Sequence, residues 1–319
     1  MRPLACTPEA TRRAIADLRS IDLRTAGVDD LKVRLNALMA GHIGSTPRVE
    51  PGPLIYRGVP YGERDKPMAK AGLSYPPVHR VKTFGRVTRP GQSVFYGTSV
   101  PNAPAFELGL VANQHVAIGR WRIKAALLLN NVGYAQTAFA DLASQRAVPE
   151  WATSQRADLS EVDRLIAGYF AEEFAKVVQP GHEHLYMLSV AIAEMLFRPP
   201  ITMVRRVAGY DGPARWGGLL YPCIPMKADG DNVALLPEAA DTCLVLEYAE
   251  WARVESVGAD GTYHMTLLDF ANTFGPNGEI EWKGRLPQVT IPPGAKLKAG
   301  YEDGRFVVRD KHGRIVDGT

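Results

Sequence analysis

Cysteine is rare in this sequence, because its 319 residues include only Cys6, Cys223 and Cys243. No two of them form a C-x-x-C pair and their number is odd, which argues against a disulfide framework and against a zinc ribbon. A reducing compartment fits this usage best. We therefore expect a cytoplasmic protein, or one delivered into the cytoplasm of a target cell as an effector.

Long hydrophobic runs and a strong net charge are also lacking. No apolar run reaches the length of a membrane helix, and the first 20 residues lack the apolar stretch of a signal peptide. The net charge of +3 is too small to indicate general binding to nucleic acids or membranes. We expect neither as a direct partner, and no helix-turn-helix pattern is seen.

Several standard catalytic motifs are absent. The glycine groups match neither the phosphate loop nor the dinucleotide fingerprint, and there is no G-x-S-x-G elbow. His182 and His184 lie two residues apart at the expected start of a helix, where a capping turn is favoured over a metal site. We expect no metal.

What is present is a globular composition, with 46% hydrophobic and 22% charged residues, and a mixture of helical and strand patterns. Thr7 followed by Pro8, and Ser160 before an apolar stripe, are typical of helix starts. Helices are predicted at 8–40, 159–178 and 183–197, and the segment 103–113 is predicted to begin with a short helix. Strands are predicted at 54–60, 93–99, 116–133 and 217–225, as a pair within 241–270, and as hairpins in the tail.

The elements show no regular βαβ alternation and no repeats, which predicts an α+β fold. The Gly- and Pro-rich segment 41–53 is a connector. We predict a helical extension (1–50), a catalytic domain with a helical insertion (51–245) and a β-rich extension (246–319).

Five features stand out as candidates for a shared site: Arg57, Arg86, Tyr96, Glu107 and the Tyr-Pro-Cys turn at 221–223. Arg57 interrupts an apolar strand, where burial of a guanidinium calls for an anion partner. Tyr96 lies in the middle of a strand. Glu107 is expected at the start of a helix, where the helix dipole favours its charge.

The segments that carry these residues resemble the RES domain family, which is named for its Arg, Glu and Ser. The resemblance rests on "LIYRG", "FGRVTRPGQSVFYGT" followed by "FE", and "GGLLYPCIPMKADGDNVALLPEAAD", and it covers about residues 54–241. It implies an ADP-ribosyltransferase-like fold and an NAD-degrading toxin, with NAD as substrate. It also implies a cognate DNA-binding antitoxin or an immunity protein as partner.

The resemblance further assigns roles. It implies that Arg57 and Arg86 hold the diphosphate or the ribose side of NAD, that Tyr96 lies against the nicotinamide and that Glu107 is the catalytic acid. Cys223 occupies the position of the family's serine. A thiol is a poorer hydrogen-bond donor than a hydroxyl, so Cys223 is either a weak substrate contact, supported by a hydroxyl such as that of Tyr221, or a small buried residue at a strand end.

These residue types suit cleavage of the bond between nicotinamide and ribose. The transition state resembles an oxocarbenium ion, which a carboxylate stabilises, and arginine binds phosphate through two parallel hydrogen bonds. The acceptor stays open between water, phosphate and a protein side chain. The alternatives are a protein ADP-ribosyltransferase and a nucleotide-binding module without cleavage. The N-terminal helices could be a homodimer arm, a partner-docking surface or a lid.

Overall fold

The computed structural model of the chain describes residues 7–39, 46–155, 157, 159–197, 215–284, 288–291, 297–302 and 305–315. These residues form seven α-helices: α1 (Pro8–Arg19), α2 (Val28–Met39), α3 (Ala103–Glu107), α4 (Gln136–Asp141), α5 (Glu161–Ala175), α6 (Met187–Phe197) and α7 (Pro237–Cys243). Short 3₁₀ helices lie at Lys70–Leu73, Val78–Arg80, Thr153–Gln155 and Glu183–Tyr186. The strands are β1 (Arg48–Val49), β2 (Leu54–Tyr61), β3 (Phe95–Thr98), β4 (His115–Ile123), β5 (Leu127–Asn131), β6 (Arg215–Pro222), β7 (Asp231–Leu235), β8 (Leu244–Val257), β9 (Tyr263–Ala271), β10 (Gln288–Ile291), β11 (Lys298–Glu302) and β12 (Arg305–Arg309).

Ten of these strands form one mixed sheet, in the order β1-β5-β6-β7-β3-β2-β4-β8-β9-β10, and β11 pairs with β12 in a separate hairpin. Neighbouring strands are antiparallel, except that β5 and β6 are parallel. A parallel pair needs a long crossover, and α4, α5 and α6 lie in the segment between β5 and β6. The predicted α+β class is confirmed, whereas the ADP-ribosyltransferase-like core stays a prediction.

The sheet has a narrow junction in its middle. β2 pairs with β4 along its whole length, but it pairs with β3 only through Tyr56 and Thr98. The sheet therefore consists of two half-sheets, β1-β5-β6-β7-β3 and β2-β4-β8-β9-β10, whose backbones pair at this one position. Arg57, Tyr96 and α3 all lie at or next to this junction.

Helix α3 bridges the junction because it follows β3 in the chain and packs on β2. A Cβ atom added at Gly58 would lie 2.8 Å from Leu108 Cδ1 and 2.9 Å from Pro104 Cβ. Because Gly58 has no side chain, Pro104 and Leu108 can lie this close to the backbone of β2. The helix ends at Glu107, and the chain then turns at Gly109, whose φ of +55° lies in the left-handed region that glycine favours.

The two largest hydrophobic clusters lie on either side of β3. One core contains Leu219, Tyr221 and Ala234 of the sheet together with the apolar sides of α1, α2, α5 and α6, and Tyr96 packs against it. The other contains Phe95, Val233, Leu235 and residues of α7. Tyr96 and Phe95 are adjacent in β3, so the two cores follow from the alternation of side chains along a strand.

The N-terminal helices pack on the helical insertion, α1 against α5 and α2 against α6. Ion pairs accompany this packing, namely Arg12 with Glu161 and Arg19 with Glu172. The predicted boundary at 245/246 lies inside β8, which pairs with β4 on both sides of it. The division into three domains stays a prediction.

Most of the predicted elements are present in the described residues. Thr7 caps α1 by accepting a hydrogen bond from the Ala10 backbone N–H at 3.2 Å, and Ser160 caps α5 in a capping box with Asp163. The strand pair within 241–270 is β8 and β9, and the tail contains the β11–β12 hairpin. Cys6 and the 41–45 part of the predicted connector lie outside the described residues.

Three element predictions are wrong. The single strand predicted at 116–133 is two strands, because the chain bends at 124–126 and β5 pairs with β6 in the other half-sheet. Residues 241–243 belong to α7, which begins at Pro237, and not to the following strand. Glu107 is the last residue of α3, so the expected stabilisation of its charge by the start of a helix does not apply.

Candidate active site

Glu107 is the centre of a polar cluster drawn from four separate parts of the chain. Its carboxylate accepts hydrogen bonds from the Tyr96 hydroxyl at 2.9 Å, from the Cys223 thiol at 3.0 Å and from the Asn232 side-chain amide at 2.8 Å. The first bond goes to Oε2 and the other two go to Oε1. Three donors with different backbone anchors hold both oxygens of this half-buried carboxylate.

The sheet and α3 together produce this convergence. Tyr96 lies in β3 and Asn232 in the neighbouring strand β7, while Cys223 directly follows β6. α3 packs on Gly58 of β2 and carries Glu107 as its last residue. The structure therefore brings together three of the predicted residues, Tyr96, Glu107 and Cys223.

Asn232 was missed by the sequence analysis. It is wholly buried, and its place next to Glu107 depends on the register of β7, in which it pairs with Thr98 of β3 and Tyr221 of β6. The segment "DGDNVALL" carries no local signal for this contact. Only a correct strand pairing could have indicated it.

Two tyrosines line one side of the cluster. The rings of Tyr96 and Tyr221 lie 6.0 Å apart, and burial, followed by the charge of Glu107, raises the pKa of both phenols well above the usual value. Both phenols therefore keep their protons at neutral pH and can act as hydrogen-bond donors. The Tyr221 hydroxyl is buried, and the two phenol groups are close enough to act on each other's pKa.

Cys223 is a thiol and not a thiolate. Burial raises its pKa strongly, and the charge of Glu107 adds to this effect. Its Sγ atom contacts the carboxylate 3.0 Å away, so it donates the hydrogen bond. Cys223 is fully buried just after a strand and also bonds the candidate catalytic acid. A contact between Cys223 and substrate stays a prediction.

Arg86 adds positive charge near the two phenols, where it lowers their pKa against the stronger effect of burial. Its guanidinium donates to the carbonyl oxygens of Phe174 and Lys176 at the C-terminal end of α5, which is the electronegative end of a helix. It also lies 5.3 Å from the centre of the Tyr186 ring.

Arg57 lies apart from this cluster. Its guanidinium donates to the carbonyl oxygens of Ser74 at 2.8 Å and Tyr96 at 2.6 Å, and it lies 5.5 Å from the centre of the Phe95 ring. Phe95 belongs to the core on the opposite face from Tyr96. Arg57 thus bonds the backbone carbonyl of Tyr96, and the Tyr96 phenol is also close enough to act on its pKa. Its place in a shared pocket with Glu107 stays a prediction.

Neither arginine is neutralised by an acid within the described part of the chain. All hydrogen bonds that Arg57 and Arg86 make with described residues go to backbone carbonyl oxygens. Burial lowers the pKa of Arg57 to about 10, which still leaves it charged at neutral pH. Two half-buried cations without a carboxylate partner are suited to bind an anion.

The described residues contain no group of three or more His, Cys, Asp or Glu side chains that could hold a metal ion. The rings of His182 and His184 lie 6.2 Å apart, at the 3₁₀ turn before α6.

Among the residues that the structure describes, no helix has the length and apolar character needed to cross a membrane.

Comparison of the chain with protein-family models, with curated proteins and with solved structures finds no match. The geometry around Glu107 is therefore the basis for a functional proposal.

Proposed function

We propose that this protein cleaves the bond between nicotinamide and ribose in NAD, as a toxin of the RES type. The observation that supports this most directly is the contact set of Glu107, whose carboxylate is held by Tyr96, Cys223 and Asn232 from three other segments. A half-buried carboxylate fixed at both oxygens is a preorganised negative charge. Such a charge stabilises a developing cation without further rearrangement.

The reaction needs little acid catalysis. The nicotinamide nitrogen is cationic in NAD, so the electron pair of the breaking C–N bond moves to the ring and neutral nicotinamide leaves. The positive charge that appears on the ribose ring is the one Glu107 would stabilise. An acceptor then adds to the ribose carbon and loses its proton.

The cations would bind the diphosphate. Arg86 lies beside Tyr96 and Tyr221 and is the arginine that we assign to substrate near Glu107. Arg57 would contribute from the other side of β3 if the diphosphate crosses the narrow junction between the half-sheets. Tyr96 would have two roles, since its ring would lie against the nicotinamide while its hydroxyl orients Glu107.

The test is release of free nicotinamide from NAD by the purified protein, measured by chromatography. We expect Glu107→Gln to reduce the rate by on the order of 100- to 1000-fold, as when a single preorganised stabilising group is removed. Glu281→Gln, which changes an exposed carboxylate, should leave the rate unchanged. Equal rates for the wild type and Glu107→Gln would refute the proposal.

Three further measurements separate the other candidate functions. Transfer of label from NAD to a protein would indicate an ADP-ribosyltransferase. Binding of NAD by calorimetry without nicotinamide release would indicate a binding module. Arrest of growth on expression, relieved by Glu107→Gln, would support the toxin, whose proposed partner is a DNA-binding antitoxin or an immunity protein.

A further inference from the structure

Asn232 makes the shortest of the three hydrogen bonds to Glu107. Its Nδ2 atom lies 2.8 Å from Oε1, an oxygen that it shares with the Cys223 thiol. An amide N–H is a much better donor than a thiol S–H. The orientation of the Oε1 side of Glu107 therefore depends mainly on Asn232.

The backbone around Asn232 is fixed on both sides. Asn232 is paired with Thr98 of β3 on one side and with Tyr221 of β6 on the other. It is wholly buried. A side chain that extends from the interior of a paired strand has few alternative positions, so its amide is preorganised relative to α3.

Asp231, the residue before Asn232, is held by a separate polar cluster. The Asp231 carboxylate accepts two hydrogen bonds from Arg146, at 2.7 and 3.0 Å, and one from the Tyr134 hydroxyl at 2.8 Å. Its backbone N–H donates to the Ser99 hydroxyl at 3.0 Å. A bidentate arginine–carboxylate pair fixes both distance and orientation, so this cluster anchors the start of β7 immediately beside Asn232.

The side-chain oxygen of Asn232 differs from its nitrogen in its hydrogen bonding. Its Oδ1 atom is buried and makes no hydrogen bond with any residue that the structure describes. A buried acceptor without a partner is unfavourable for folding, and an apolar side chain of similar shape would avoid this. An asparagine that keeps one oxygen unsatisfied while its nitrogen bonds Glu107 is better explained by a role at Glu107 than by a role in the core.

We propose that Asn232 is the positioning residue of Glu107, and that the cluster of Asp231, Arg146 and Tyr134 holds it in place. The inference rests on the proposed function, in which Glu107 stabilises the ribose cation. Asn232 acts through the carboxylate and does not touch the substrate. The thiol of Cys223 has the smaller share of this role.

Three variants test the role through nicotinamide release. Asn232→Ala should lower kcat by on the order of 100-fold, the scale of a small misplacement of a catalytic group, with KM changed by less than about twofold because the arginines still bind the substrate. Cys223→Ala should lower kcat much less. Thr98→Val is the matched control, because Thr98 is the buried neighbour of Asn232 in β3 and its hydroxyl bonds only the Val100 carbonyl among described residues.

A fourth variant separates positioning from packing. Asn232→Asp places a second carboxylate against Oε1 of Glu107, and two such groups share a proton. The acidic limb of the pH–rate profile should move to higher pH, whereas in Thr98→Val it should stay in place. Equal kcat losses in Asn232→Ala and Thr98→Val, or an unmoved profile in Asn232→Asp, would overturn the proposal.

A structural measurement keeps the two proposals distinguishable. If the wild type releases no nicotinamide, the proposed function fails, and crystal structures of the wild type and Asn232→Ala still test the positioning. We expect the Glu107 carboxylate to rotate or become disordered in the variant. A carboxylate that stays in place on Tyr96 and Cys223 would show that Asn232 does not position it.

Discussion

Glu250 illustrates what burial does to a single carboxylate in this sheet. It lies in β8 and is half-buried, and Arg120 of the neighbouring strand β4 is close enough to lower its pKa. Burial outweighs that charge and raises the pKa from 4.5 to about 7. The folded protein therefore binds a proton here that the unfolded chain releases at lower pH.

This shift predicts that Glu250 makes the fold less stable as the pH rises. Below pH 4.5 Glu250 is protonated in both the folded and the unfolded state. Between pH 4.5 and about 7 it is ionised only in the unfolded state, so the free energy of unfolding falls as the pH rises. Above about pH 7 it is ionised in both states and the free energy of unfolding falls no further. The size is on the order of 3 kcal/mol. Urea unfolding of Glu250→Gln across this range should lack that decrease, and Glu247→Gln on the same strand should retain it. A decrease of equal size in Glu250→Gln would contradict the assignment.

The candidate site was only partly predictable at the residue scale. Tyr96, Glu107 and Cys223 carry a recognisable order of residue types along the chain, and they do meet. Asn232 could not be found in this way, because its contact is set by the pairing of β7 with β3 and β6. Arg57 shows another limit, because its hydrogen bonds go to the carbonyl oxygens of Ser74 and Tyr96 and its place in a pocket with Glu107 stays a prediction.

At the scale of the element, the position of α3 depends on one glycine in β2. The helix has only five residues, Ala103–Glu107, so it has little stability of its own and must be held by packing. It packs on Gly58 through Pro104 and Leu108. The last residue of this short helix is Glu107, so the packing distance of α3 also sets the position of the candidate catalytic acid.

A methyl group at Gly58 should therefore move Glu107. The added Cβ would lie 2.9 Å from the Pro104 ring, which cannot rotate away. We expect Gly58→Ala to lower the free energy of unfolding by about 1–3 kcal/mol and to lower nicotinamide release by a larger factor than stability alone explains. Gly168→Ala in α5, where a Cβ meets nothing within 4 Å, should instead stabilise the fold by up to about 1 kcal/mol. Full activity in folded Gly58→Ala would contradict this account.

Elements with strong local signals were predicted well, and those decided by tertiary pairing were not. The caps at Thr7 and Ser160 are local and are present in the structure. The break at 124–126 is not visible in an alternating apolar segment, because it depends on β5 leaving β4 to join β6. The start of α7 at Pro237 is a local signal that the sequence analysis did not use.

For the whole molecule, the question is whether the N-terminal helices are an accessory or part of the core. Their ion pairs to α5 are about half exposed, with 51% and 57% of the side-chain surface accessible in the pair of Arg12 and Glu161. Such pairs contribute only about 0–1 kcal/mol. Leu31 and Leu35 of α2, by contrast, are 1% and 0% exposed and belong to the same core as Leu219 and Tyr221 of the sheet.

This contrast predicts that removing apolar contacts of α2 destabilises the whole protein. Leu35→Ala should lower the free energy of unfolding by about 2–5 kcal/mol, in one transition that also disrupts the sheet, because the core of α2 continues to Tyr221 beside Glu107. Arg12→Ala should change it by less than about 1 kcal/mol. Unfolding can be followed by far-UV circular dichroism and by nicotinamide release in parallel. A separate early transition in Leu35→Ala, with activity preserved after it, would instead mean that the N-terminal helices fold as a unit of their own.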